Sequence, residues 1–258
     1  MSTASTTSAS TQYLDMDTKL ICLEKYVSFI SGAVGGLYST IVGHPLDTIK
    51  SRYQVNCKCS NLYKNVYKGF YPHASIQIIS NAVLFGIYDS LNNIFNKEGT
   101  EFCYKAAIFT GVFESFIYTP IENIKVRQQS NLAPPTVNDI MRGLKWCMLR
   151  ESIGNCIYFG SYFKFKDYLE YSGYSRDTAV LTSGGISGLS FWAFMHPIDT
   201  YKVLVQTNRL NILNKLNRFN QFKLLYSGIG WCLVRSVPFN CCTFYGYEYT
   251  KKFLESRL

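Results

Sequence analysis

Charge is scarce in this 258-residue chain, where Asp, Glu, Lys and Arg make up only 17% against roughly a quarter in a soluble domain. Aromatic residues reach 16% and mean hydropathy is near zero, a profile that suits a membrane protein with polar interior surface rather than a water-soluble globule. Paired histidine spacings are missing, and the nine cysteines follow no metal-site pattern: Cys57 and Cys59 lie in a polar connection, Cys241 and Cys242 in an apolar one. No metal and no cofactor is therefore expected. There is no phosphate-binding loop and no nucleophile with a matched base, which argues against an enzyme.

A secretory core is lacking too, since Met1 to Gln12 is rich in Ser and Thr without arginine; any targeting must come from internal segments, and the cysteines read as reduced. The final Ser256-Arg257-Leu258 resembles a peroxisomal tripeptide, but such tripeptides direct lumenal proteins, and the match is read as coincidence. The net charge of +9 is spread along the chain, not gathered in a dense basic run with a nucleic-acid motif. Nucleic acid is excluded as a partner; anionic lipid or an anionic substrate group fits better.

What the chain does have is a threefold repeat. Pro45-Leu-Asp47-Thr-Ile-Lys50, Pro120-Ile-Glu122-Asn-Ile-Lys125 and Pro197-Ile-Asp199-Thr-Tyr-Lys202 each follow an apolar run, and Gln54, Gln129 and Gln206 each stand nine residues past their proline. The prolines are 75 and 77 residues apart (120 − 45 and 197 − 120), which divides the chain into three near-equal units. Tyr26 to Gly43, Thr178 to Ile198 and Phe70 to Tyr88 are uncharged apart from histidine over bilayer-crossing lengths, and Ala106 to Ile121 carries only Glu114. Ser152 to Phe163 and Ser236 to Tyr247 are shorter, flanked by Arg150-Glu151 and Arg235, and make sense with one face toward water. The reading is all-α: six transmembrane helices near 22–54, 72–95, 103–130, 148–170, 177–208 and 232–254, two per repeat, with short surface helices between. The repeats are placed at 22–98, 99–173 and 174–258 after a polar tail, 1–21.

Small residues four apart, Gly32 and Gly36, Ala107 and Gly111, Gly184 and Gly188, give each odd helix a face for close backbone packing in lipid. Proline inside a helix removes a backbone bond and bends the axis, so Pro45, Pro120 and Pro197 should turn three helix ends toward one centre. Acid and base lie three residues apart beyond each bend, on one face. Converging ends would pair Asp47 with Lys125, Glu122 with Lys202 and Asp199 with Lys50, each braced by a glutamine one turn on. Such pairs yield little net free energy, because dehydration offsets attraction. A substrate worth a few kcal/mol could break them, which makes the ring a reversible gate.

These signatures resemble the mitochondrial carrier family, and the resemblance runs from about residue 22 to the end. It implies alternating-access transport across the mitochondrial inner membrane, with another organelle membrane as the alternative, by a protein working as a monomer. Tyr67-Lys68-Gly69, Met141-Arg142-Gly143 and Tyr226-Ser227-Gly228 stand where the family binds cardiolipin at Gly69, Gly143 and Gly228. The family's opposite gate is complete in Tyr247-Glu248-x-x-Lys251; Asn92 replaces a base after Asp89, and Phe163 replaces an acid before Lys166. The expectation is one surviving pair, Asp89 with Lys166, and a gate weaker than the one beside the prolines.

The resemblance also implies a substrate position on each even helix: Ile76, Arg150 with Glu151, and Arg235; His73, one turn before Ile76, is a further substrate-binding candidate placed to face the cavity, with a structural or interfacial place as the other reading. Charges at mid-membrane cost about 2.5 to 3.5 kcal/mol on insertion scales. Arg150 followed by Glu151 looks like carriers of amino acids and related zwitterions, with arginine gripping a carboxylate and glutamate an ammonium. The stretch around Arg235 looks like the ornithine and acylcarnitine branch, and S-adenosylmethionine is a substrate of the same type. Alternatives are a keto-acid or nucleotide carrier, an Arg150 that snorkels to an interface, or a regulated proton leak prompted by Glu114. Glu114 is expected to bond a neighbouring helix.

Overall fold

Proline, glycine and the hydroxyl residues set where this chain bends and packs. The computed structural model describes residues 26–46, 67, 70–96, 102–129, 133, 135–137 and 139–257. Asp47, Lys50, Gln54 and Gly69 lie outside the described residues, as do the side chains of Lys125 and Gln129. Six long helices run through the described chain: α1 (Tyr26–Leu46), α2 (Phe70–Phe95), α3 (Tyr104–Gln129), α4 (Leu144–Tyr171), α5 (Arg176–Gln206) and α8 (Ile229–Glu255). Two short ones, α6 (Leu210–Asn214) and α7 (Arg218–Leu225), lie between α5 and α8, and there is no strand among the described residues.

The helices start earlier than hydropathy marks them. Gly143 and Gly228 precede α4 and α8 with φ of 88° and 84°, a left-handed conformation in which a side chain would be strained. The surface helices expected in every repeat appear in the third; between α3 and α4 the described residues form turns instead.

Packing follows the small residues. A methyl group on Gly32 or Gly36 of α1 would come within 2.5 Å of the α2 carbonyls of Asn81 and Gln77. Gly111 of α3 meets the α4 backbone at Glu151 and Ser152, and Gly184 of α5 meets the Asn240 carbonyl of α8 at 2.9 Å by the same measure. Each odd helix thus lies backbone to backbone on the even helix after it. Contacts between α2 and α3, α4 and α5, and between Gly35 of α1 and Gly246 of α8, close the six into a ring.

The polarity of the ring is inverted. On α3, Thr110, Ser115, Thr119 and Asn123 are wholly buried, whereas Phe109, Phe113 and Phe116 are about half exposed. Hydroxyls satisfy themselves within the helix, Thr110 to the Ala106 carbonyl at 2.8 Å and Thr40 to that of Gly36 at 2.7 Å. Apolar outside and polar inside is the arrangement hydrocarbon imposes, because a helix satisfies its own backbone there and polar side chains must turn inward. By length and composition alone, Tyr26–Leu46 and His73–Phe95 can cross a bilayer.

The turn before each even helix is tied to the odd helix near its proline. Tyr67 donates to the Ile41 carbonyl at 3.1 Å, Asn123 to that of Asp139 at 2.7 Å, and Thr200 to that of Leu225 at 2.9 Å.

Candidate functional site

The ring of helices surrounds a cavity of about 340 Å³, at the lower end of the range for small-molecule sites. Its wall holds Ile76 from α2, Arg150 and Glu151 from α4, and Arg235 from α8. Three separate helices therefore bring the sequence-derived positions to one space. His73 is the exception: it is not on this wall, and its ring lies 5.3 Å from that of His44, at the junction of α1 and α2. One turn along α2 is enough to carry a side chain from the cavity to a helix seam.

Beyond Pro120 and Pro197, α3 and α5 deliver Glu122 and Asp199 to one end of the cavity. Lys202 pairs with Glu122, as the converging bends require, and lies 3.3 Å from Asp199 on its own helix. Asp199 was expected to meet Lys50, which is outside the described residues; what it meets is Arg150, at 2.5 Å. Arg150 also holds Glu122 at 3.1 Å and contacts its neighbour Glu151. One guanidinium thus reaches three carboxylates from three helices, so Arg150 belongs at once to the cavity wall and to the charge cluster at its end. The forked, planar group suits that task, where a lysine would serve as a point charge.

Gln206 departs from the expected brace. It is fully buried one turn past Lys202, yet its amide makes no hydrogen bond among the described residues and its Cγ lies against Gly143. The lysine ammonium leans toward α3, away from the glutamine beneath it.

The opposite end also requires a correction. Asp89 does not pair with Lys166. Lys251 of α8 reaches Asp89 of α2 at 2.5 Å, and Lys166 of α4 reaches Glu248 of α8 at 3.0 Å, joined by Arg176 at 2.9 Å. Each base meets the acid of the next even helix in one rotational sense. Two links form instead of one, and the third, between the Phe163 and Asn92 positions, lacks both charges. Tyr247 and Tyr162 donate to Asp89 and Glu248 at 2.6 and 2.9 Å.

Beneath these pairs lies a layer that sequence reasoning missed. Tyr88 stacks on Phe159 with centroids 3.9 Å apart, Tyr162 on Phe244 at 3.6 Å and Tyr247 on Phe85 at 4.1 Å. Each tyrosine belongs to one even helix and its phenylalanine to the next, so six rings close a circle between cavity and charges. The signal was present: an aromatic pair three residues apart recurs in phase on all three even helices.

A cavity walled by opposite charges, with an ionic cluster at each end, is a compartment for a small polar solute. A family model described as "Mitochondrial carrier protein" matches residues 23–99 and 176–258, and the chain belongs to that family. Relatives include a mitochondrial arginine transporter of Arabidopsis thaliana, 26% identical over 89% of this chain and 94% of its own length. Mitochondrial ornithine transporter 1 of Rattus norvegicus is 26% identical over 92% and 97%, and the mitochondrial carnitine carrier of Saccharomyces cerevisiae 28% over 88% and 87%.

Proposed function

We propose that this chain is a multi-pass transporter of the mitochondrial inner membrane that exchanges a small amino-acid-like solute carrying both a carboxylate and a cationic group. The relatives' printed substrates, arginine, ornithine and carnitine, share that pattern. Six spans in three repeats, at 22–98, 99–173 and 174–258, rock about the cavity to open one end at a time. Cardiolipin or another anionic lipid docks at the helix starts beside Gly143 and Gly228, since helix N-termini attract phosphates.

The observation that carries this reading is the double placement of Arg150. A substrate carboxylate that draws the guanidinium inward releases Glu122 and Asp199, weakening closure at the proline end. Buried ion pairs are near balance between attraction and dehydration, so exchanging one carboxylate for another is a small step energetically. Glu151 and Arg235 hold the remaining substrate groups, and Asp89, Lys166, Glu248 and Lys251 re-form the far closure on each cycle. Ile76 supplies apolar contact.

Purified protein in liposomes loaded with unlabelled arginine, ornithine or carnitine is expected to take up the same labelled solute by counter-exchange. Absence of exchange with every one of them, while labelled nucleotides or keto acids do exchange, would overturn the substrate class.

A further inference from the structure

Glu114 is the one cavity carboxylate that the proposed cycle leaves unused. It sits in the middle of α3, 1% exposed, one turn from Gly111, where α3 and α4 touch backbone to backbone. Its Oε2 accepts from Asn155 of α4 at 2.7 Å, while its Oε1 is buried without a partner and the group has no ion-pair partner among the described residues. Arg150, the nearest cation on the same wall, contacts Glu122, Glu151 and Asp199 instead. Arg235 comes from α8 with its guanidinium 5.3 Å over the Phe239 ring, and Ile76 of α2 adds an apolar group to the same wall.

A carboxylate of the cavity wall held by Asn155 and Tyr118, with its second oxygen buried and unmatched, is a seat for a cationic group that arrives from outside. We infer that Glu114 is the specificity-determining residue of the cavity: its Oε1 receives the distal cationic group of the substrate, an ammonium, guanidinium or quaternary ammonium, while the arginines take the carboxylate. The inference rests on the carrier reading given above and adds the group that selects the substrate's far end. It also explains how a cavity with an apolar Ile76 distinguishes a cationic side chain from a neutral one. A charge-assisted contact made in a desolvated site is roughly twice as strong as a neutral one, and leaving it unmade is expensive. Removing the charge should cost about 10- to 100-fold in discrimination.

The test uses matched solutes that differ only at the distal group: arginine against citrulline, and carnitine against 3-hydroxy-5,5-dimethylhexanoate. Each is offered as a competitor of exchange by the full chain in liposomes. Glu114→Gln keeps an oxygen for Asn155 and removes the charge, so the preference for the cationic member should fall at least tenfold. Glu114→Asp retains the charge on a shorter arm and should give an intermediate ratio, which also serves if the glutamine variant does not fold. A preference unchanged within threefold in Glu114→Gln overturns the assignment, or, where that variant does not fold, a preference unchanged in Glu114→Asp; so does a variant that alters only the pH dependence of exchange, which would make Glu114 a proton carrier. Wild-type protein that exchanges none of the four solutes, nor ornithine, overturns the amino-acid-like substrate class, and this inference with it.

Discussion

At the proline-bearing end of the cavity the ionic cluster reaches inward, because Arg150 stands in the wall and bonds Glu122 and Asp199 at the mouth. At the other end the charges of Asp89, Lys251, Glu248 and Lys166 are separated from the cavity by six stacked rings. A polar substrate can compete directly for the first cluster and cannot touch the second. In the proposed cycle the proline end is therefore the one a ligand unlocks by exchange of partners. In that cycle the far end opens only when the even helices themselves move apart, separating ring pairs whose stacking adds about 0.5 to 1.5 kcal/mol each beyond burial.

The sharpest way to break this contrast is Arg150→Ala. It leaves Glu122, Glu151 and Asp199 facing one another, and truncating one member of a buried charge pair costs 2 to 5 kcal/mol or more, so exchange should fall by about 100-fold or more. Uptake by liposomes measures it, and activity above a tenth of wild type would disconnect the cavity from the proline-end cluster. Next comes Phe244→Ala, which strips the layer of the ring on Tyr162. Loss of a buried phenylalanine costs about 3 to 5 kcal/mol in soluble cores. Unfolding of the detergent-solubilised variant should be easier by an amount near the lower figure, with little change if the layer is incidental.

Smaller effects are expected from the charges above the rings. Lys166→Ala and Lys251→Ala should each cost about 1 kcal/mol, with the better-buried Lys166 the larger, and the cost should shrink in high salt. Unfolding in low and high salt, compared side by side, checks both points. The least change is expected on rebuilding the absent link with Asn92→Lys and Phe163→Glu. A double-mutant cycle should return a favourable coupling below about 1 kcal/mol. A coupling of zero would show that the α2 and α4 ends do not face each other as the other two pairs do.

Much of this architecture was legible because its determinants are local. Each motif proline sits where apolar run gives way to charge, and each small-residue pair falls a fixed distance before it, so helix, bend and packing face could be read from spacing. Pro120 and Pro197 indeed lie within α3 and α5, and Gly111 and Gly184 press on the helices that follow. The aromatic circle was equally periodic but escaped notice, since rings on amphipathic helices ordinarily mean core or lipid-facing surface. His73 took the structural of its two candidate places, a choice spacing left open because counting along a helix gives the turn but not the rotation of the helix within the ring.

Sequence alone determined that this chain makes long helices with inward-turning polar faces, sets a proline toward the end of three of them, and repeats the motif three times, since each follows from the order of neighbouring residues. Partnership was decided only by the tertiary structure. That Arg150 bonds Asp199 across two helices, that Lys251 rather than Lys166 meets Asp89, and that Glu114 keeps one oxygen unmatched all depend on how six cylinders rotate against one another. That rotation is set by contacts between residues far apart in the chain, and linear spacing carries no record of it.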